Sequence, residues 1–410
     1  MKNGAHSYRI IIIGLSISFF ILCNTSCKLY EIISAQEKVG EYLPDTFRVE
    51  LLLHIDDKGY FCIPVTINDQ NDMDFIIDTQ AICLGKEDEF AALGAKYQGL
   101  FPLYSKNAFG QKQKYSLYSF DSFKIHSLSF NTPFLKAVNK DNYLYSIMHK
   151  NILGVNVLKH LFWKFSIDEK KSILFSNKDA DMIEKETDGF IKIERGLSSK
   201  INLTLGDDGK KGDFLFDLGF HGEIEIDKKI FHHYSNTIPY RKILIARTEQ
   251  INDTVYLFEN LKVKFENFVI DDCQFIYREK VNKNLIGTRL MHRFNFILAY
   301  TDNFKNLSSQ YDLYIKPVRE FNEIRATPYI SQSGIHADCL EGAFIVSRIE
   351  LGSDADMAGL QLWDRILSIN DESMDLYSKE EVFSFIDTKE RMKLTIERKN
   401  KNINLFIGDF

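Results

Sequence analysis

Between about residues 50 and 315, short runs of alternating apolar and polar positions are separated by turn-forming residues, the period of half-buried β-strands. Ile63 to Ile67 and Ile201 to Leu205 are clear cases. Helical spacing is confined to brief patches, Lys86 to Leu93 and Asp227 to Tyr234. This body is therefore expected to be mainly β. After Lys316-Pro317 the pattern changes, with Phe344 to Ile349 reading as a strand, Gly352-Ser353 as a turn and Ala355 to Leu360 as a short helix closed by Gly359. A helix from Lys379 to Asp387 and a strand from Met392 to Glu397 complete a separate α+β module.

The start of the chain has another character. Lys2 and Arg9 precede an apolar run from Ile10 to Cys23, and then come the small polar residues Asn24, Thr25, Ser26 and Cys27. That order predicts a signal peptide, since a run of 14 residues falls short of the roughly 20 that cross a bilayer as a helix. Thr25-Ser26-Cys27 resembles the end of a bacterial lipobox, although Asn24 occupies a place usually held by a Leu-like residue. The resemblance implies removal of residues 1–26, lipidation of Cys27 and a chain anchored in the cell envelope, either facing the periplasm or in the outer membrane. Plain secretion and a retained membrane anchor are the alternatives.

Composition narrows the function. With 51 Lys+Arg against 57 Asp+Glu the formal charge is −6, and no basic cluster offers nucleic acid a phosphate-binding face. Cys62, Cys83, Cys273 and Cys339 lack CxxC or His-paired spacing, so no metal site is expected. They are read as isolated buried thiols, with a Cys62–Cys83 disulfide the alternative that export permits.

A duplication carries the chemistry. The segment Asp74-Phe75-Ile76-Ile77-Asp78-Thr79-Gln80 returns as Asp213-Phe214-Leu215-Phe216-Asp217-Leu218-Gly219, an offset of 139. Phe120 to Ile125 returns as Phe258 to Val263, and Ile152-Leu153-Gly154 as Leu285-Ile286-Gly287, with offsets of 138 and 133. Landmarks that keep their order mark a repeat rather than chance matches. On these residues the chain resembles the retropepsin-like aspartic proteases, in particular bacterial exported ones with two lobes in one polypeptide and a PDZ domain behind them.

That resemblance implies a mainly β fold, with two retropepsin-like β-barrel lobes in a pepsin-like pseudo-twofold arrangement followed by an α+β PDZ domain. The expected division is a signal peptide at 1–26, a linker at 27–49, an N-lobe at 50–182, a C-lobe at 183–318 and the PDZ domain at 319–410. Asp78 and Asp217 would meet at the pseudo-twofold axis and share a proton, so that one activates water while the other protonates the peptide carbonyl. No cofactor would be required. Thr79 and Gly219 match the family's pattern, whereas Leu218 replaces a bracing hydroxyl and Gln80 replaces a glycine. A side chain at a left-handed glycine position costs about 1 to 3 kcal/mol, so a competing reading is a peptide-binding or scaffolding lipoprotein that has lost turnover.

Gly154 and Gly287 are expected to let backbone pass closely behind the two loops. The resemblance also implies a hairpin over the cleft, for which Phe109 to Leu117, with Gly110, is the candidate, a plain surface hairpin being the alternative. His221 is read as a solvated loop residue and His232-His233 as helix surface. In the C-terminal module the order of Ala358-Gly359-Leu360, Asp364-Arg365-Ile366 and Ile369-Asn370 resembles a bacterial PDZ domain, with Asp354 in place of Pro and Trp363 in place of Gly. The resemblance implies that Ser333, Gly334 and Ile335 receive the carboxylate of a peptide or C-terminal tail that adds as a strand. A groove filled by the protein itself is the alternative.

Overall fold

The structure, a computed structural model, describes residues 38–408 except 71, 99–102, 107–111, 132–133, 141, 143, 146–147, 194–199, 249–250, 301–310, 327, 341, 375–376 and 389. The signal-peptide reading and Cys27 lie outside the described residues. The chain is mainly β, and its described residues form two compact units. One comprises 38–107, 111–192 and 295–316, and the other 193–294 and 317–408.

The first unit holds two sheets. In the larger, Met73–Ile77 lies between Phe61–Ile67, its antiparallel neighbour, and Asn151–Leu153, which runs parallel to it. Leu84–Lys86 pairs antiparallel with Asn151–Leu153 and parallel with Leu135–Val138. A strand inside a parallel pairing is covered on both faces and reads as a continuous apolar run. This explains Phe75-Ile76-Ile77, of which Phe75 and Ile77 are wholly buried. The smaller sheet has the order Arg48–Leu52, Lys171–Phe175, Phe162–Ser166, Phe294–Ala299, Asp312–Pro317, Ile191–Lys192. The second half of the repeat thus lends its last strands to the first unit. Aromatic packing binds the two sheets, with the Phe165 and Phe296 rings stacked at 4.7 Å and Phe61 against both.

The second unit reproduces the same wiring. Lys210–Phe216 lies between antiparallel Ile201–Leu205 and parallel Leu285–Ile286, while Ile224–Glu225 pairs antiparallel with Leu285–Ile286 and parallel with Phe268–Arg278. Each half also carries a hairpin. That of the first half pairs Leu103–Lys106 with Lys112–Ser119; its tip, including Phe109 and Gly110, lies outside the described residues. That of the second pairs Arg241–Thr248 with Ile251–Phe265.

Residues 331–408 form a small sheet with two helices over a core of Ile335, Val346, Ile386, Leu394 and Ile396. The helix Lys379–Ile386 begins with a capping box between Ser378 and Glu381, and Asp354–Met357 is capped by Ser353. Trp363 adopts φ +75°, the left-handed conformation that glycine takes most easily. The module is built into the second unit, because its strand Ala343–Glu350 pairs antiparallel with Arg241–Thr248, Ile243 opposite Glu350. Arg241 reinforces the seam by donating to Glu350 (2.9 Å) and to the Ser331 carbonyl (3.1 Å). This pairing removes an exposed strand edge from each partner.

Among the described residues no helix is long and apolar enough to cross a membrane. Cys62, Cys83 and Cys273 are buried free thiols, but Cys339 is exposed, contrary to expectation, because its strand Ile335–Leu340 emerges from the core at its C-terminal end. The free thiols of Cys62 and Cys83 also exclude the alternative disulfide.

Candidate active site

The two motif aspartates occupy equivalent places in the two halves. Asp78 follows strand Met73–Ile77, and its backbone N–H donates to the carbonyl of Leu153 at 3.0 Å. Asp217 follows strand Lys210–Phe216, and its N–H donates to the carbonyl of Ile286 at 2.9 Å. In both cases the acceptor is the residue before the repeated glycine. Rigid, doubly paired strands therefore deliver both carboxyls at the same point of the same topology.

Each carboxyl is then fixed by its own loop. Asp78 Oδ1 accepts the N–H groups of Gln80 (2.7 Å) and Ala81 (2.9 Å), and Asp217 Oδ1 accepts that of Gly219 (3.0 Å). Both aspartates are half-buried, and the residues after them, Thr79 and Leu218, are fully buried. Burial pushes the Asp78 carboxyl above the ordinary aspartate range, and the two N–H donors, which favour the charged form, only partly oppose this. Such a carboxyl is suited to holding a proton where a solvated aspartate would have lost it.

Gly154 and Gly287 lie directly behind these loops. A Cβ on Gly154 would sit 2.3 Å from the Ile82 carbonyl carbon and 2.4 Å from the Ala81 oxygen; one on Gly287 would sit 2.1 Å from the Gly222 oxygen. The contacts are cross-braced by Val155 N–H to the Ala81 carbonyl (2.8 Å) and Thr288 N–H to the Phe220 carbonyl (2.9 Å). Neither Gln80 nor Gly219 has a left-handed backbone, and Gln80 is exposed. The strain that a side chain at position 80 would bring to a glycine-only conformation is therefore absent.

Several bracing residues escaped the motif reading. Asn156 accepts the Cys83 N–H (2.8 Å) and donates to the Phe134 carbonyl (3.4 Å), tying the first loop to its neighbours. Its signal was an amide in the otherwise apolar turn Val155–Leu158. Behind the second loop, Glu223 and Arg293 form a buried ion pair at 3.1 Å, and Glu225 and Arg278 form another, with the Arg278 guanidinium 5.7 Å from the Phe220 ring centre. His221 is half-buried rather than solvated, because it lies in this packed loop; His232 and His233 are exposed.

In the C-terminal module, Ser333, Gly334 and Ile335 come together at the start of the strand Ile335–Leu340. Gly334 has φ +81°, and an added Cβ would meet Ser353 Oγ at 2.3 Å. Three of the loop's N–H groups are already engaged: Gly334 N–H with the Ser331 carbonyl (3.1 Å), Ile335 N–H with Ser331 Oγ (3.0 Å) and Gln332 N–H with Asp387 Oδ1 (2.8 Å). Ser333 Oγ donates to the Ile386 carbonyl at 2.6 Å. Asp387 is another residue the motifs did not flag. An acidic residue at a helix C-terminus opposes the helix dipole, and that misplacement is the signal of a separate partner.

A cavity of about 590 Å³ in the second unit lies among Asp208, His233, Tyr234, Lys262 and Asp271, and Asp217 does not line it. Its carboxylates are engaged, Asp208 by His233 and Asp207 by Lys262.

No family model matches the chain, and no curated protein matches it. Among solved structures, a retropepsin-like aspartic protease from Rickettsia conorii is similar over 32% of this chain and 93% of its own length, with 18% identity and a TM-score of 0.24.

Proposed function

We propose that this chain is an aspartic endopeptidase of the retropepsin-like type, exported and anchored in the cell envelope through Cys27, with a PDZ-type module at its C-terminus. Asp78 and Asp217 jointly activate water against a peptide carbonyl, one carboxylate withdrawing the proton while its protonated partner donates to the carbonyl oxygen. The domain plan that goes with it is an N-lobe at 50–182, a C-lobe at 183–318 and the module at 319–410. The observation that carries the reading is the duplicated loop. Twice in one chain, an aspartate directly after a strand that ends in a buried apolar residue donates its N–H to the residue before a crowded glycine and accepts an N–H of its own loop. The raised Asp78 carboxyl supports the proton-holding role.

A second reading, a peptide-binding scaffold without turnover, draws on Leu218, which leaves the second loop without the family's hydroxyl. The test is to incubate the chain lacking residues 1–27 with a diverse peptide mixture from about pH 4 to 7, beside Asp78→Asn and Asp217→Asn, and to read products by mass spectrometry. Cleavage that disappears in both variants supports the endopeptidase. Absence of cleavage at every pH, with all three proteins folded, moves the conclusion to the scaffold.

The module's partner is an extended polypeptide segment that adds to the edge of Ile335–Leu340. Because Ser331 and Asp387 already occupy loop donors, amidating the C-terminus of a bound peptide should change its affinity less than about threefold; direct carboxylate capture would make the loss tenfold or more, about 1.4 kcal/mol.

A further inference from the structure

Arg293 is 2% exposed, one of the largest fully buried side chains in the chain. Its Nη2 donates to Glu223 Oε1 at 3.1 Å and lies 3.1 Å from Asp272 Oδ1. Nη1 donates to the carbonyl of Ile324, and the Arg293 carbonyl accepts the N–H of Val318 at 3.1 Å. One residue thus holds two things. On one side is the loop after Asp217, since the Glu223 carbonyl accepts the Gly287 N–H at 2.8 Å and its Oε2 the Gln274 N–H at 2.7 Å. On the other is the connector that leaves the repeat after Pro317 and leads into the C-terminal module. Asp272 grips the same connector through the Ala326 N–H at 3.2 Å.

The first half shows that this guanidinium is not needed to build the motif. Phe294 in the second half matches Phe162 in the first, and the residue before it is Arg293 in the one and Leu161 in the other, where it is simply buried apolar packing. A buried cation is expensive to desolvate and is retained where its specific partners matter, and removing it leaves carboxylates uncompensated. Its distinctive partners here are a carboxylate on the loop after Asp217 and a carbonyl on the connector.

We infer that Arg293 is a positioning residue for the Asp217 loop, transmitting the docking of the connector to that loop through Glu223. This rests on the proposed role of Asp217 for its catalytic meaning, but not for its structural content. The connector's far end is held to the module, since Arg348 donates to the Tyr329 carbonyl at 2.6 Å and covers its ring at 4.2 Å.

The experiment is amide hydrogen exchange read by mass spectrometry on the full-length chain in detergent, comparing wild type with Arg293→Met, Arg293→Lys and Asp272→Ala. Arg293→Met should speed exchange at least tenfold in both 217–224 and 318–326 while leaving 73–77 and 151–153 unchanged. Arg293→Lys should restore most of the protection in the loop. Asp272→Ala, which loosens the grip on Ala326, should carry its effect into 217–224, and it decides the matter should Arg293→Met not fold. Uniform loss of protection in both halves would overturn the inference, as would a released connector with an unchanged loop. For the peptidase, Arg293→Met should lower kcat about tenfold with KM unchanged and shift the pH profile of kcat. A wild type that cleaves nothing would defeat the functional proposal while the exchange result still decides this one.

Discussion

The loops at Asp78 and Asp217 share a backbone plan and differ in nearly everything that supports it. Both receive a strand from the same topology, both place a glycine where a Cβ would collide, and both hold the aspartate by loop N–H groups. Behind the first, the supports are a neutral amide, Asn156, and the buried Cys83 thiol, which accepts the Gly154 N–H at 3.1 Å. Behind the second they are two buried ion pairs, Glu223–Arg293 and Glu225–Arg278. The difference teaches that the repeat preserves main-chain geometry, while side-chain braces are free to follow local demands. The second half has a demand the first lacks, because the C-terminal module is stitched to its hairpin.

If the loops serve one reaction, the largest effect should be symmetrical. Asp78→Asn and Asp217→Asn should each lower kcat/KM by about a thousandfold or more, and the double variant should be no worse than either, because groups acting as a unit are non-additive. Unequal single effects would break the comparison at its functional level. Stability should separate them in one respect. The folded state holds the Asp78 proton more tightly than the unfolded chain does, so stability falls as pH rises from the ordinary aspartate value through the raised one. Asp78→Asn should therefore gain stability relative to wild type at neutral pH and lose that advantage near pH 3, measured by urea denaturation across pH.

The glycine pair comes next in size. Gly154→Ala and Gly287→Ala should each destabilise by about 2 kcal/mol or more, since the added methyl meets backbone rather than a movable side chain. Equal losses in Tm would sharpen the idea of a common skeleton. Tolerance at Gly287 alone would show that the loop after Asp217 can yield.

The plan was legible where the chain repeats itself. The ordered return of Phe75-Ile76-Ile77-Asp78, then of Leu153-Gly154, marks strand, loop and backing glycine without any contact being known, because a parallel pair needs apolar runs and a close approach needs glycine. Glu223 and Arg293 were invisible for the opposite reason, and Asn156 and Asp387 showed only that a residue was locally out of place, not what it holds. Each acts on a backbone group or charge far away in sequence, and its value depends on a partner that no local pattern specifies. Gln80 was misleading in a third way, since a glycine in one half suggests a conformational need in the other, and only the backbone angle removes that suggestion.

Asn156→Ala tests the first loop's neutral brace. It leaves the Cys83 N–H without its acceptor in a buried setting, which should destabilise by about 1 to 3 kcal/mol. Exchange should quicken in 78–84 and remain unchanged at 217–224; an effect that reached the second loop would mean the braces are not independent.

The smallest effect is expected at Gln80, which stands opposite Gly219 in the repeat although neither backbone is left-handed. Its backbone is outside the left-handed region and its side chain is exposed, so glycine offers no relief of strain and adds freedom to the unfolded chain. Gln80→Gly should lower stability by about 0.4 to 1 kcal/mol and leave kcat/KM within about threefold, because the N–H that holds Asp78 belongs to the backbone and survives the change. A tenfold rise in kcat/KM would mean that the glutamine side chain itself obstructs substrate. The loops would then be alike in their main chains but unequal in access, and turnover in this chain would be limited by one exposed side chain rather than by the carboxylates.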